Sequence, residues 1–389
     1  MAKKTHLWIE DTVRADGSIT LRSILEVPNG SRKKLWFRVP TKYSDTIENS
    51  HDSFVLGALF FAMRRSFDLV IHGIVSPSLL CNLEEFQLAW NCWCPDYYKR
   101  IDIRADIEKE YKNANRQETA ITAFSGGADS CFTLWRHRKG FTGRQQRDIK
   151  AGLMIHGLDI PLTRTKDFEL AVERSRKILK SVDVELIPMA TNFRELNDNW
   201  EHAHGAAVAS CLTLFRDHYS DGLIASSPPY NKLNIMLVWG SNPLTDGLFS
   251  SDCFRIVHDG AAYGRHEKIH HIAGWPEALD NMRVCWQGER KDRNCGRCEK
   301  CIRTILSFRA SMINLPASFD KDITDKHILA LRNLSKKQIY DYQQILSFAK
   351  MNGCQDSWLS ALERCINKTI RIRRIKYLFK FATKKIRGS

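Results

Sequence analysis

The sequence ITAFSGGADSCFTLWRH, residues 121–137, joins an apolar run to an amphipathic one through two adjacent glycines. The run that ends at Phe124 predicts a buried β-strand, and the apolar residues of 131–135 recur at nearly helical spacing. Asp129 or Ser130 is well placed to cap the amino terminus of that helix. A strand, a Ser-Gly-Gly bend and a helix start direct backbone N–H groups into one concavity, where the helix dipole also favours an anion. The loop is therefore either a simple capped turn or a phosphate-binding cradle.

The composition indicates a folded protein of two or three units. The 389 residues exceed one ordinary domain, and 43% hydrophobic residues are ample for buried cores. The longest apolar run is closed by Arg64 and Arg65 and is too short to cross a bilayer, and the first residues lack the apolar core of a secretion signal. Twelve cysteines in such a chain are expected to be reduced thiols or metal ligands. We expect a cytoplasmic protein without a membrane span.

The net charge of +15 is unevenly distributed, since residues 366–389 contain nine Lys/Arg and no acid. The apolar residues of this segment could form one helical stripe. It is therefore either a basic amphipathic helix for an acidic partner, an anionic membrane or nucleic acid, or a docked helix with a solvated basic face. The remaining +6 makes no strong case for nucleic-acid binding.

Residues 1–116 are predicted to form a separate α+β unit. Two alternating apolar runs surround the Pro-Asn-Gly turn at 28–30, which is typical of a β-hairpin. Helices are predicted near 52–65 and 78–92, and a further strand near 99–107. We find no catalytic motif in this unit, so a structural role or partner contact is expected.

Residues 117–316 alternate strands and helices, which predicts an α/β fold with a doubly wound parallel sheet. After the first strand, further strands are predicted at 150–160, 184–191 and 222–227, with helices at 167–182 and 204–218 between them. Ligands bind at the carboxyl ends of the strands in such sheets, and the Ser-Gly-Gly loop follows the first strand. Residues 317–389 are predicted to form a helical, basic extension.

Four cysteines near the end of the α/β unit follow the spacing C-x9-C-x2-C-x2-C. They are Cys285, Cys295, Cys298 and Cys301. Four thiolates at tetrahedral geometry suit Zn²⁺ in a closed structural site, so this segment predicts a zinc-binding loop. A redox CxxC pair and an iron–sulfur cluster are the alternatives that the spacing leaves open. The histidines of this part of the chain do not show the spacing of zinc enzymes and are predicted to be surface or pocket-lining residues.

The SGGxDS loop after an apolar strand, together with the late cysteine quartet, resembles the 7-cyano-7-deazaguanine synthases of queuosine biosynthesis. These belong to the N-type ATP pyrophosphatase (adenine nucleotide alpha-hydrolase-like) superfamily. The resemblance covers residues 117 to about 312. The loop alone is shared with tRNA-lysidine, NAD, GMP and asparagine synthetases. The cysteine quartet distinguishes the deazaguanine synthases from these other families. Family members adenylate the carboxylate of 7-carboxy-7-deazaguanine with ATP, let ammonia displace AMP, and dehydrate the amide to the nitrile.

The resemblance implies ATP, Mg²⁺ and Zn²⁺ as cofactors and assigns roles to individual residues. The residues implied to hold pyrophosphate are Ser125, Gly126, Gly127 and Ser130, with Asp129 holding Mg²⁺ or capping the helix. His156 and Gly157, after the second strand, would lie against the adenosine. The candidates for base recognition are Asp246, Ser250, Ser251 and Asp252. Lys268 would stabilise phosphate charge in the transition state, so that Asp129, Ser130 and Lys268 form the predicted catalytic set.

The chain also departs from the synthases, since about 116 residues precede the loop and about 75 follow the zinc region. This enlarged layout is similar to the synthase-like proteins of bacterial antiphage operons (the Qat and type IV CBASS systems). That similarity implies a ligase that joins a deazaguanine to the amino terminus of a protein. We therefore expect an ATP-dependent, AMP- and pyrophosphate-forming ligase with an acidic partner protein as acceptor. The alternatives are a nitrile synthase that uses ammonia, and a nucleotide-binding scaffold without activity.

Overall fold

The computed structural model of the protein describes residues 3–46, 51–110, 118–233 and 238–386. Its strands are β1 (Lys3–Ala15), β2 (Ser18–Glu26), β3 (Arg32–Pro40), β4 (Phe67–Val75), β5 (Ile103–Glu108), β6 (Ala120–Ala123), β7 (Ile149–His156), β8 (Glu185–Thr191), β9 (Asp221–Ala225) and β10 (Arg255–Asp259). Its helices are α1 (Asp52–Arg65), α2 (Pro77–Trp93), α3 (Ala128–Arg138), α4 (Thr165–Lys180), α5 (Phe193–Leu196), α6 (Trp200–Thr213), α7 (Arg265–His271), α8 (Pro276–Asn281), α9 (Glu299–Ala310), α10 (Asp325–Leu329), α11 (Lys336–Met351) and α12 (Ser357–Ile386).

The ten strands form one sheet in the order β10-β9-β6-β7-β8-β3-β2-β1-β4-β5. Six of its nine strand pairings are parallel and three are antiparallel. From β6 the chain adds β7 and β8 on one side, and then β9 and β10 on the other. The predicted α/β class with a mostly parallel sheet is therefore confirmed.

The first five strands continue the same sheet through a short antiparallel contact between β3 and β8. Phe37 pairs with Thr191, and Arg38 pairs with Ala190. The side chain of Asn192 extends the contact, because its Oδ1 accepts from Trp36 N–H and its Nδ2 donates to the Lys34 carbonyl, each at 2.9 Å. The predicted boundary between residues 116 and 117 lies outside the described residues and stays a prediction.

Helices cover the two halves of the sheet differently. In β2, buried and partly exposed residues alternate, so only one face of that strand packs against a core. In β6 and β9 nearly every residue is buried, because a hydrophobic core lies on each face of the sheet there. The loops at the ends of these central strands therefore follow strands that are buried on both faces.

The helical extension predicted after residue 316 is present as α10, α11 and α12. The first half of α12 docks on the fold through buried residues that include Trp358, Leu362 and Ile366. Residues 371–375 of the same helix are exposed. Among the described residues, none of the helices combines the length and the apolar character needed to span a membrane.

A substitution at Gly205 of α6 tests the close packing of this helix against Gly240. A Cβ added at Gly205 would lie 1.9 Å from the carbonyl oxygen of Gly240. We expect Gly205→Ala to lower the free energy of unfolding by about 3 kcal/mol, because the clashing neighbour is backbone and cannot rotate away. Urea unfolding measures this change. The matched control is Gly274→Ala, where a Cβ meets nothing within 4 Å, and equal stability of the two variants would contradict the described packing.

Candidate functional site

The Ser-Gly-Gly loop follows β6 at the carboxyl edge of the parallel strands. Gly126 has a φ of 71°, in the left-handed region that glycine adopts at little cost. The backbone N–H of Arg283 donates to the Gly126 carbonyl at 2.8 Å. A Cβ at Gly126 would also lie 3.1 Å from Ser175 Oγ. The loop is thus fixed by its neighbours in a shape that favours glycine.

Helix α3 begins directly after the loop, with Gly127 as its N-cap residue. The bond from Cys131 N–H to the Gly127 carbonyl, at 3.0 Å, is the first of the helical series. The N–H groups of residues 128–130 precede it and have no acceptor within the helix. The Ser130 hydroxyl donates to the Gly127 carbonyl at 3.0 Å and stabilises this end. The predicted strand–loop–helix unit is present, and its free N–H groups can bind an anion.

Asp129 lies in the first turn of α3 and pairs with two cations of α7. Arg265 Nη2 donates to its Oδ2 at 2.6 Å, and Lys268 Nζ lies 3.3 Å from its Oδ1. Lys268 Nζ also donates to the carbonyl of Ser226, just after β9. Burial disfavours the ionised form of Asp129, but the Arg265 and Lys268 charges outweigh this effect and hold the pKa of the carboxyl below its usual range. Asp129 and Lys268, both predicted as catalytic, therefore meet where β6 and β9 end.

Cations from four separate segments of the chain interact with Asp129 and with one another. The set is Lys232, Arg265, Lys268, Lys300, Arg303 and Lys337. Three carboxylates form ion pairs with four of these cations. Asp129 pairs with Arg265 and Lys268, Asp341 pairs with Lys232 and Arg303, and Glu299 pairs with Arg303.

Lys300 and Lys337 have no ion-pair partner within the part of the chain that the structure describes. Burial and the Arg265 charge lower the pKa of Lys300 to about 8. Burial and the charges of Arg303 and Arg265 likewise lower the pKa of Lys337 to about 8. Such mutual repulsion of partly buried cations is relieved when a polyvalent anion binds among them.

Sequence reasoning missed most of this cluster, since Lys268 was the only member that it assigned to the phosphate site. Arg265 and Lys268, and likewise Lys300 and Arg303, stand three residues apart on a helix. That spacing places each pair on one helix face and is a usable signal. Lys337 carries no comparable signal, because its helix reaches the site only through the tertiary fold.

The four predicted zinc ligands come together. All four sulfur atoms lie within 4.8 Å of one another, with Cys285 and Cys298 at 3.7 Å and Cys295 and Cys301 at 3.8 Å. Tetrahedral Zn²⁺ with bonds of about 2.3 Å requires sulfur separations of about 3.8 Å. Backbone N–H groups of Gly288 and Cys298 point at two of the sulfurs, at 3.2 and 3.3 Å. The quartet could therefore hold a single metal ion such as Zn²⁺.

The cysteine quartet and the basic cluster share α9. Cys298 is the N-cap residue of this helix, and Cys301 lies in its first turn. Lys300 and Arg303 belong to the same turns. A metal ion at the cysteines would thus fix the helix that carries two cations of the candidate site.

His156 is the last residue of β7 and Gly157 follows it, at the same edge of the sheet as the loop. The imidazole of His156 lies with Nε2 2.9 Å from the Pro161 carbonyl and stacks on Phe168 with ring centroids 4.4 Å apart. Gly157 has a φ of 97°, and a Cβ there would lie 2.0 Å from the Thr191 carbonyl oxygen. Both residues shape a tight turn beside the site, and their contact with adenosine stays a prediction.

Asp246 is fully buried in a polar cluster. Its carboxylate accepts from Ser241 Oγ at 2.6 Å and from Asn242 N–H at 3.1 Å, and lies 2.7 Å from His258 Nδ1. His258 Nε2 and Trp239 Nε1 are buried without a hydrogen-bond partner among the described residues. These two nitrogen atoms could each form a hydrogen bond with a ligand.

The other three candidates for base recognition lie elsewhere, before the amino end of β10. Ser250 Oγ accepts from Ile256 N–H, and Asp252 N–H donates to Ser78 Oγ, each at 2.9 Å. Ser251 bonds with Cys253 nearby. The structure therefore does not bring Ser250, Ser251 and Asp252 together with the loop, which lies at the carboxyl edge.

Comparisons of the chain with protein-family models, with curated proteins and with solved structures find no match. The resemblance to the deazaguanine synthases is therefore carried by the motif residues themselves. In the described part of the chain, the cysteine quartet forms the cluster that could hold a metal ion, and no histidine belongs to such a cluster.

Proposed function

We propose that the protein is an ATP-dependent C–N ligase that forms AMP and pyrophosphate. The observation that carries this proposal is the meeting of the Ser-Gly-Gly loop with a cluster of cations, of which Lys300 and Lys337 lack an ion-pair partner in the described chain. Strand order reverses between β6 and β9, which is where a doubly wound sheet binds its ligand. We infer that the central strands form such a sheet and that the nucleotide phosphates lie beside Asp129.

In the first step, a carboxylate oxygen of the substrate attacks the α-phosphorus of ATP. The bond from this phosphorus to the bridging oxygen breaks, and pyrophosphate leaves with the electron pair. The N–H groups at the start of α3 and the cations Arg265 and Lys268, which lie at Asp129, would stabilise the departing charge. Each oxygen of Asp129 keeps a lone pair besides its ion pair, so Asp129 would hold Mg²⁺, which neutralises phosphate charge.

In the second step, an amine nitrogen attacks the acyl carbon, AMP leaves, and the nitrogen gives up a proton. We propose 7-carboxy-7-deazaguanine as the acid. The buried cluster of Asp246, Ser241 and His258 supports a heteroaromatic ligand, because His258 Nε2 and Trp239 Nε1 have no hydrogen-bond partner among the described residues and such a ligand would supply one.

We propose the amino terminus of an acidic partner protein as the acceptor, in a cytoplasmic antiphage system. An α-amino group has a pKa near 8, so a useful fraction is neutral at cellular pH and the enzyme must chiefly position it. Ammonia requires no docking surface, whereas a protein does, and the excess of Lys/Arg over Asp/Glu, 59 against 44, favours an acidic one.

The experiment is to incubate the enzyme, Mg-ATP and 7-carboxy-7-deazaguanine with each protein encoded beside it and to record intact masses. We expect one partner to gain the mass of the acyl group on its amino-terminal peptide. Asp129→Ala enzyme is the control and should give no gain. Free 7-cyano-7-deazaguanine with no modified protein would identify a nitrile synthase instead, and the absence of any ATP-dependent product would favour a scaffold.

A further inference from the structure

A cavity lined in part by the helical extension also contains Arg265, the ion-pair partner of Asp129, in its wall. Its walls are the segment 229–232 after β9, the amino end of α7, and Arg303 of α9. Helix α11 completes it with Tyr340, Asp341 and Gln344. Helix α11, which follows the cysteine quartet in sequence, therefore lines the same cavity as Arg265 of α7.

Asp341 fixes two cations in the wall of this cavity. Its carboxylate accepts from Lys232 and from Arg303, and all three residues are more than nine-tenths buried. Arg303 is also held by Glu299, with Nε 3.1 Å from Oε1. The Lys232 ammonium lies 5.0 Å from the ring centroid of Tyr340. Both cations are thus pre-positioned by α11 rather than free to follow a ligand.

Lys337 stands one turn before Asp341 on the same helix. Its ammonium lies 4.2 Å from the ring centroid of Trp239 and has no carboxylate partner in the described part of the chain. Its charge interacts with those of Arg303, Arg265, Asp129 and Lys300. Lys337 therefore belongs electrostatically to the site around Asp129, although it comes from the extension.

We propose that Lys337, with Lys232 and Arg303 held by Asp341, forms a subsite for the β- and γ-phosphoryl groups of the nucleotide. This inference rests on the proposed function and adds α11 to the nucleotide site. The loop and the start of α3 supply N–H donors from one side, and Arg265 and Lys268 supply charge beside them. Lys337 of α11, with Lys232 and Arg303 held by Asp341 of the same helix, would supply further positive charge for the phosphoryl groups.

The test is calorimetric titration of the full-length protein with ATP, pyrophosphate and AMP at one ionic strength. We expect Lys337→Gln to weaken ATP and pyrophosphate binding about 10- to 100-fold, as the loss of a charge-assisted hydrogen bond does, and to leave AMP binding unchanged. Lys336→Gln is the matched control, because Lys336 is the exposed neighbour on the same helix. Lys337→Arg keeps the charge and should keep most of the affinity.

The outcomes separate this inference from the function on which it rests. If Lys337→Gln binds ATP as tightly as the wild type does, the subsite is overturned and the ligase proposal still stands. Equal weakening of AMP binding would overturn it too, since Lys337 would then act on another part of the nucleotide. A wild-type protein that binds neither ATP nor pyrophosphate would overturn both. Thermal unfolding of each variant shows that it is folded.

Discussion

Asp129→Ala is expected to lower the rate of AMP formation by at least about 100-fold, the cost of removing one pre-organised charge from a site that stabilises a leaving group. Asp129 pairs with Arg265 and Lys268 at 2.6 and 3.3 Å, and we propose that it also shares Mg²⁺ with the phosphates. Without it, two buried cations lose their counter-charge and their fixed positions. Chromatographic separation of AMP, ADP and ATP measures the rate.

Two variants separate the chemistry of Asp129 from its contribution to folding. Asp129→Asn keeps the shape and removes the charge, so it should lose activity like Asp129→Ala. Asp148→Ala is the matched control, because its carboxylate lies in an exposed pair with Lys150 at 2.9 Å and should not affect the rate. Full AMP formation by Asp129→Ala protein of unchanged zinc content would contradict the assigned role.

Cys298→Ser is expected to remove the metal and with it most of the folded population. Structural zinc contributes about 10–16 kcal/mol of apparent binding energy, which equals or exceeds the whole stability of an ordinary domain at about 5–15 kcal/mol. Cys298 also caps α9, whose Lys300 and Arg303 belong to the candidate nucleotide site. Elemental analysis should find about one zinc per chain in the wild type, and thermal unfolding should show the loss of stability.

The matched control for the metal site is Cys81→Ser, because Cys81 is an exposed cysteine outside the quartet. This variant should keep both the zinc and the melting temperature. If Cys298→Ser protein does not fold, a chelator added to the wild type tests the same point, since metal removal should lower its melting temperature. A metal-free protein with an unchanged melting temperature would contradict a structural metal site.

The sequence predicts those parts of the fold whose signals are local. The hairpin of β2 and β3 and helices α1, α2 and α4 follow from apolar periodicity and a turn motif. Strands β1, β4 and β10 were not predicted, for different reasons. The alternation in β1 is broken by a bulge between Glu10 and Val13, and only Ser66 separates β4 from α1. In β10 only Ile256 and Val257 are apolar.

Contacts between distant segments were beyond sequence reasoning. The joining of β3 to β8 depends on Asn192, more than 150 residues from its partners Lys34 and Trp36. The same holds for the site. The loop at Ser125 is one contiguous segment and was therefore recognisable in the sequence. Lys300 and Lys337 belong to two separate helices, and no local sequence pattern shows that these helices meet at the site.

The central claim is that the protein transfers AMP from ATP to a carboxylate, and pyrophosphate exchange tests it without knowledge of the acceptor. The purified protein is incubated with Mg-ATP, 7-carboxy-7-deazaguanine and radiolabelled pyrophosphate, and the label in ATP is followed. We expect carboxylate-dependent incorporation of label into ATP, and we expect this incorporation to be lost in Asp129→Ala. Formation of ADP as the main product, with no label entering ATP, would contradict it.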